Sequence, residues 1–238
     1  MSKNKRIKAV FFDAADTLFF INNGLGNVYS SVAAKYGSAP DPKLVKAAFS
    51  NAFQSAPPLV FGELSSEERR VSEKKWWHRV VKNVFEEVGM FDGFDSYFDE
   101  LFEVFRHGAW KLFPETQGLL SSLEKEGFKI GLISNFDTRV YDVCQALGIY
   151  RYFGSFVISS EAGFAKPSPE IFEIALNEQG VSAEESLHIG DSIEHDILGA
   201  KALGINAVLL DREGRYEHRK DIRKIKDLRQ VFQILGDS

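Results

Sequence analysis

The sequence predicts a doubly wound α/β fold with a parallel sheet and an inserted block of helices. Three observations carry that expectation. Beyond Pro114, short apolar runs alternate with helical patterns of crossover length, the texture of a parallel sheet. The first apolar run, residues 7–12, is separated from that region by a long tract of helical periodicity with no convincing strand. Several apolar runs stop abruptly at polar residues, and open parallel sheets bind ligands at the carboxyl ends of their strands.

Residues 7–12 are rich in β-branched and aromatic side chains and read as a buried strand that ends at Asp13. After Leu18, the asparagines at 22 and 23 with Gly24 and Gly26 mark a loop. Helices are expected over 28–36 and 42–53, before Ala56-Pro57-Pro58 breaks the chain. Residues 66–88 form the longest helical stretch, with Trp77, Val81, Val84 and Val88 on one face. Residues 94–105 make another, with Phe98, Leu101, Phe102 and Phe105 on one side.

The alternating region then runs in order. A helix over 115–126 closes at Gly127, and a strand over 128–133 ends at Ser134. A helix over 138–147 has Asp137 as N-cap and Gly148 as C-cap. A short strand covers 156–158. Ser168-Pro169-Glu170 starts a helix that stops at Gly180. A strand over 186–189 ends in Gly190-Asp191, a helix over 193–203 ends at Gly204, and a strand covers 206–210. A terminal helix is expected over 226–235. The division that follows is a core of residues 1–19 and 108–238, with a helical cap at 20–107.

Composition narrows the function classes. The 238 residues carry a net charge of −5, which argues against a general nucleic-acid binder. No run is long enough to span a membrane, and the basic Met1-to-Arg6 segment is not followed by a signal-peptide apolar region. The expectation is a soluble cytoplasmic protein with no membrane partner; oligomeric state is not legible. The single Cys144 reads as a small buried apolar residue. The charged run 212–226 mixes both signs and reads as a solvated surface segment.

Polar signals at or just past strand ends carry the chemistry: Asp13, Ser134-Asn135, Gly190-Asp191-Ser192, and Lys166 in the loop before Ser168. Parallel strands bring those loops to one side. Two or more carboxylates can hold Mg²⁺, a hard cation that prefers oxygen. Ser134 can donate to a phosphate oxygen, and Lys166 offers a point charge that also keeps Asp13 ionised. Asp13 could then attack phosphorus and form an aspartyl-phosphate.

Asp13-Ala14-Ala15-Asp16-Thr17-Leu18, Ser134-Asn135, Lys166-Pro167, and Gly190-Asp191-Ser192 with Asp196 and Gly199-Ala200 resemble the four motifs of the haloacid dehalogenase superfamily. The helical tract after the first motif resembles its class-one cap. The stretch 133–137 and Trp76-Trp77 are most similar to the animal haloacid-dehalogenase-like domain-containing subgroup. The resemblance implies a Mg²⁺-dependent hydrolase acting on a small phosphorylated molecule. It implies Asp13 as nucleophile and metal ligand, and the backbone carbonyl of Ala15 as a second ligand. Asp191 would bind the metal directly or through water, and Asp196 would support the metal site. Thr17, Ser134 and Lys166 would organise Asp13 and the phosphate, and Asn135 would shape the phosphate loop.

One position departs from that pattern. Related phosphatases carry an acid/base Asp where this chain has Ala15, and Gly where it has Asp16. A methyl group cannot transfer a proton, and that assistance is worth roughly 10²–10⁴ in rate. Three readings follow: hydrolysis with the role covered elsewhere, for instance by Asp16, or with a leaving group that needs little protonation; a phosphonate hydrolase using a Schiff-base lysine among Lys35, Lys43, Lys46, Lys74 and Lys75; or a slow or non-catalytic phosphate-binding protein. Dehalogenation ranks behind these, because the motif around Asp191 is a metal-site pattern. Trp77 is expected in the core, and Trp76 is the candidate for a pocket wall. His195 reads as a solvated helix-start residue, and His78 and His107 have no partner pattern. Arg69, Arg70, Arg79 and Lys82 read as a charged face that meets water.

Overall fold

A computed structural model describes residues 7–236, so the basic Met1-to-Arg6 segment lies outside the described residues. Its centre is a six-stranded sheet of β1 (Ala9–Phe12), β4 (Lys129–Ser134), β5 (Ser155–Ile158), β6 (Ser186–Gly190), β7 (Asn206–Leu210) and β8 (Lys224–Ile225). The order is β5-β4-β1-β6-β7-β8, and every pairing is parallel. β1 is the spine: Ala9 pairs with Lys129 on one side and Ser186 on the other. Successive side chains on a strand point to opposite faces. Val10 and Phe12 therefore enter one apolar cluster, with Leu119, Leu123 and Cys144 from α5 (Thr116–Lys125) and α6 (Arg139–Ala146). Ala9 and Phe11 enter the other, with Phe172 and Ala200 from α8 (Pro169–Gln179) and α9 (Gly199–Ala202). Both faces of the sheet are covered, as the doubly wound expectation requires.

The tract between β1 and β4 folds as α1 (Leu25–Ala34), α2 (Pro42–Gln54), α3 (Ser66–Val88) and α4 (Phe94–His107). Ser65 and Glu68 form a reciprocal cap at the start of α3. These helices enclose an apolar cluster of their own, including Tyr29, Val45, Val84, Phe85 and Tyr97. α7 (Ser159–Ala162) is a single turn after β5.

Three local expectations are corrected. The segment after Leu18 does not pass directly into a loop: β2 (Phe19–Ile21) pairs antiparallel with β3 (Trp110–Leu112), and this ribbon carries both crossings between sheet and helices. The expected terminal helix is broken. Lys224–Ile225 pairs onto β7, Asp227 caps a 3₁₀ turn, and only α10 (Val231–Gly236) is α-helical. The helix after Ser192 opens as a π-helical turn over Ile193–Leu198 before tightening into α9.

Candidate functional site

The carboxyl ends of β1, β4 and β6 place Asp13, Ser134 and Asp191 around one cavity of about 360 Å³ lying between sheet and helices. Lys166 reaches it from the loop before α8. It is buried, and its Nζ lies 2.6 Å from both Asp13 Oδ1 and Asp196 Oδ1. Burial alone would lower the lysine pKa, but the two carboxylates outweigh it and hold the ammonium charged. Ser134 Oγ donates to the same Asp13 oxygen at 2.9 Å. Asn135 acts one step back: its Nδ2 donates to Lys166 O at 2.9 Å, and Lys166 N donates to Asn135 Oδ1 at 2.7 Å. That reciprocal pair ties the lysine loop to the end of β4.

Asp196 is buried, and both of its oxygens take part in hydrogen bonds. Oδ1 accepts from Lys166 and faces His188 Nε2 at 3.0 Å, while Oδ2 accepts from Ser192 N at 3.0 Å. Burial raises its pKa, but Lys166 and His188 prevail and hold it below the usual carboxylate range. The π-helical turn aims Asp196 inward, so close to the strand that a Cβ on Gly190 would lie 2.1 Å from Asp196 Cγ. Asp191 has the opposite fate. Burial first, then the charges of Asp13, Asp196 and Asp16, push its carboxyl up to about 7.

Asp13, Asp191 and Asp196 each offer a carboxylate oxygen within 4.8 Å of the others. Three hard oxygen donors in that space fit a divalent cation. Ala15 lines the same cavity beside them. Thr17 does not line it: its hydroxyl is buried without a hydrogen-bond partner, and its carbonyl accepts from Arg212.

The chain turns tightly after Asp13. Leu18 N donates to Ala14 O, Asp16 N donates to Phe19 O, and Asp16 sits at φ +59°. That left-handed conformation is the kind glycine adopts freely and Asp tolerates. Asp16 is thus redirected to the cavity wall, exposed at its mouth, with its pKa raised by the surrounding protein and by Asp13.

The rest of the cavity is apolar and aromatic, from Phe49, Phe53, Val81, Phe98, Phe105 and Trp110 among others. Both tryptophans pack, partly buried, against the helical cluster, but Trp77 rather than Trp76 forms the pocket wall. Trp77 does lie on the inward face of α3, but that face borders the cavity, and its Nε1 donates to Asp137. Trp76 does not line the cavity; its Nε1 donates to Pro57 O. His195 stands at the cavity edge, exposed, with Nδ1 3.2 Å from Ser192 Oγ. Lys35, Lys43, Lys46, Lys74 and Lys75 do not line the cavity, and neither do Arg69, Arg70, Arg79 or Lys82. His78 pairs with Asp95, and His107 with Glu103.

Sequence reading missed His188 and Arg139. His188 could have been flagged as a polar residue inside an otherwise apolar strand. Arg139, buried and bonded to Asp137, lines the cavity from the start of α6 and gave no signal before the helices were placed.

This fold, with carboxylates and a buried lysine gathered at the sheet's carboxyl edge, is that of a hydrolase of the doubly wound α/β class. A model of the haloacid dehalogenase-like hydrolases matches residues 7–204, and the chain belongs to that family. The zebrafish haloacid dehalogenase-like hydrolase domain-containing protein 3 is 30% identical over 91% of this chain and 90% of its own length. Glyceraldehyde 3-phosphate phosphatase of Methanothermobacter thermautotrophicus is 31% identical, covering 96% of this chain and 100% of its own. The Bacillus subtilis protein YfnB, crystallised bound to magnesium, superposes with a TM-score of 0.74 at 21% identity, covering 98% of this chain and all of its own. No helix among the described residues is long and apolar enough to cross a membrane.

Proposed function

We propose that this hydrolase is a Mg²⁺-dependent phosphatase of small phosphorylated molecules, with Asp13 as nucleophile and residues 20–107 acting as a cap over the cavity. The observation that carries the reading is the Lys166 ammonium shared between Asp13 and Asp196, with Asp191 within carboxylate reach. It marks where phosphate charge is balanced. Asp13, Asp191, Asp196 and the Ala15 carbonyl are the groups that would hold the metal. When bound, the cation neutralises charge on the transferring phosphoryl group. Ser134 and Lys166 both donate to Oδ1 of Asp13, which leaves Oδ2 to attack phosphorus. The bond to the leaving oxygen then breaks, and water later cleaves the aspartyl-phosphate to return the carboxylate. Thr17, without a bond to Asp13 in this conformation, is given a part in holding the turn. The named phosphatase among the relatives supports the reaction class.

None of the lysines of residues 20–107 lines the cavity, which weighs against a Schiff-base route. The test is p-nitrophenyl phosphate turnover with Mg²⁺ and with EDTA, beside Asp13→Asn. We expect metal-dependent activity that falls on the order of 10³-fold or more in the variant. Equal turnover by both proteins would sink the reading.

A further inference from the structure

Beyond the carboxylates the cavity wall is mostly apolar, nearly half of it aromatic, and the indole donors of its tryptophans are already spent. Trp77 Nε1 donates to Asp137, and Trp110 Nε1 donates to Phe105 O at 2.8 Å. Arg139, the cation nearest those rings, is paired twice with Asp137: Nε at 3.0 Å to Oδ1, and Nη2 at 2.6 Å to Oδ2. Its guanidinium stacks over Phe102 at 4.0 Å and Trp77 at 5.0 Å. A neutralised, stacked arginine is wall rather than anion receptor. A polyhydroxylated or doubly charged substrate would lose water here and recover few hydrogen bonds, which is costly. A flat apolar body would lose little and gain burial.

The floor imposes a second condition. Ala15 lines the cavity beside Asp13 and offers only a methyl group. With no acid at that position, a leaving oxygen that departs with its electron pair and little protonation is favoured, which selects weakly basic oxygens.

We propose that the site selects phosphate compounds in which an apolar, preferably aromatic, body is joined through a weakly basic leaving oxygen: phenolic in an aryl phosphate, carboxylic in an aroyl or acyl phosphate. This rests on the phosphatase reading above and names its substrate class. In the first step the Asp13 oxygen–phosphorus bond forms, the phosphorus–leaving-oxygen bond breaks, and the pair departs as phenolate or carboxylate. In the second, water attacks phosphorus, the Asp13 carboxylate leaves with its pair, and the water proton passes to the released phosphate. The same wall predicts that compact hydroxylated esters, including glyceraldehyde 3-phosphate, are poor substrates.

The experiment measures kcat/KM with Mg²⁺ for p-nitrophenyl phosphate, phenyl phosphate, benzoyl phosphate, glycerol phosphate and glyceraldehyde 3-phosphate. The two aryl esters and benzoyl phosphate separate phenolic from carboxylic leaving groups. We expect rates to fall steeply with leaving-group basicity, with the two hydroxylated esters at least about 10²-fold below the nitrophenyl ester. Ala15→Asp should flatten that slope by raising the alkyl esters most. A readout independent of turnover is binding of benzylphosphonate against methylphosphonate by calorimetry, expected about tenfold or more in favour of the aromatic ligand. Phe53→Ala, on a half-exposed ring, should shrink that preference without risking the core. Turnover insensitive to the leaving group, or equal binding of the two phosphonates, overturns the substrate class and leaves the phosphatase reading standing. Phosphate release from none of the compounds overturns both.

Discussion

At the scale of single residues, the site is a contest between burial and charge. Asp191 and Asp196 share the same surroundings, yet Lys166 and His188 hold one ionised while the other rises from an ordinary value near 3.8 to about 7. A cation at the cluster must displace the Asp191 proton below that pH. Mg²⁺ affinity should therefore be flat above about pH 7 and fall with decreasing pH, approaching tenfold per unit. The sign follows from the acid: its protonated form is neutral, dominates at low pH and offers the metal no charge. Calorimetric titration of Mg²⁺ between pH 5.5 and 8 checks this, and Asp191→Asn should remove the dependence along with most of the affinity. An affinity unchanged across that range would refute the assignment. Most of the residues gathered here were legible because they end strands, where a parallel sheet must present them together. His188 and Arg139 were not, since their roles exist only through Asp196 and Asp137, and no local pattern marks a partner that tertiary packing supplies.

At the scale of elements, a helix can receive its cap from elsewhere in the chain. Glu73, buried on α3, accepts from Thr138 N at 3.1 Å and from Thr138 Oγ1, satisfying the start of α6 sixty-five residues away. Burial, then the nearby Asp137, raises its carboxyl pKa. Glu73→Ala would leave a buried N–H without an acceptor and should cost about 1–3 kcal/mol in urea unfolding. Glu73→Gln, which keeps one acceptor oxygen, should cost less. Equal stability of wild type and Glu73→Ala would refute the capping role. Such a contact explains why elements differ in legibility. α3 could be read from its sequence because twenty-three residues repeat one apolar face and carry their own cap. The β2–β3 ribbon could not, because each three-residue strand exists only against a partner about ninety residues distant. Residues 226–235 have helical periodicity, but Asp227 caps a fresh turn after β8 has joined the sheet edge, so tertiary pairing overrides the local pattern. The π-helical turn is invisible to a 3.6-residue period for the same reason: its extra residue serves to bring Asp196 inward.

At the scale of the whole molecule, the helices and the sheet have separate apolar clusters and meet at a seam of polar and backbone contacts as well as the aromatic wall. Arg69 pairs with Glu161 at 3.1 Å, Arg106 with Asp142 at 2.5 Å, and Phe61 N donates to Ser160 O at 3.0 Å. One approach is backbone on backbone: a Cβ on Gly62 would lie 2.7 Å from Gly163 Cα and 2.8 Å from Gly163 N. Backbone cannot rotate aside as a side chain can, so any larger residue at 62 must push the two sides apart. Two units with separate cores can absorb that push by hinging at the ribbon, whereas a single continuous core would have to repack. Gly62→Ala should therefore shift the equilibrium toward an open form in which Trp77 meets water. The expected signs are a red-shifted tryptophan emission, a raised KM for p-nitrophenyl phosphate, and an unchanged far-UV circular dichroism spectrum. Glu161→Gln, which removes charge at the rim without adding volume, should open the seam less, since partly exposed ion pairs contribute only about 0–1 kcal/mol. If Gly62→Ala kept the wild-type emission and KM, the seam would be rigid, and substrate would have to enter through the existing mouth beside Asp16 rather than by separation of the two units.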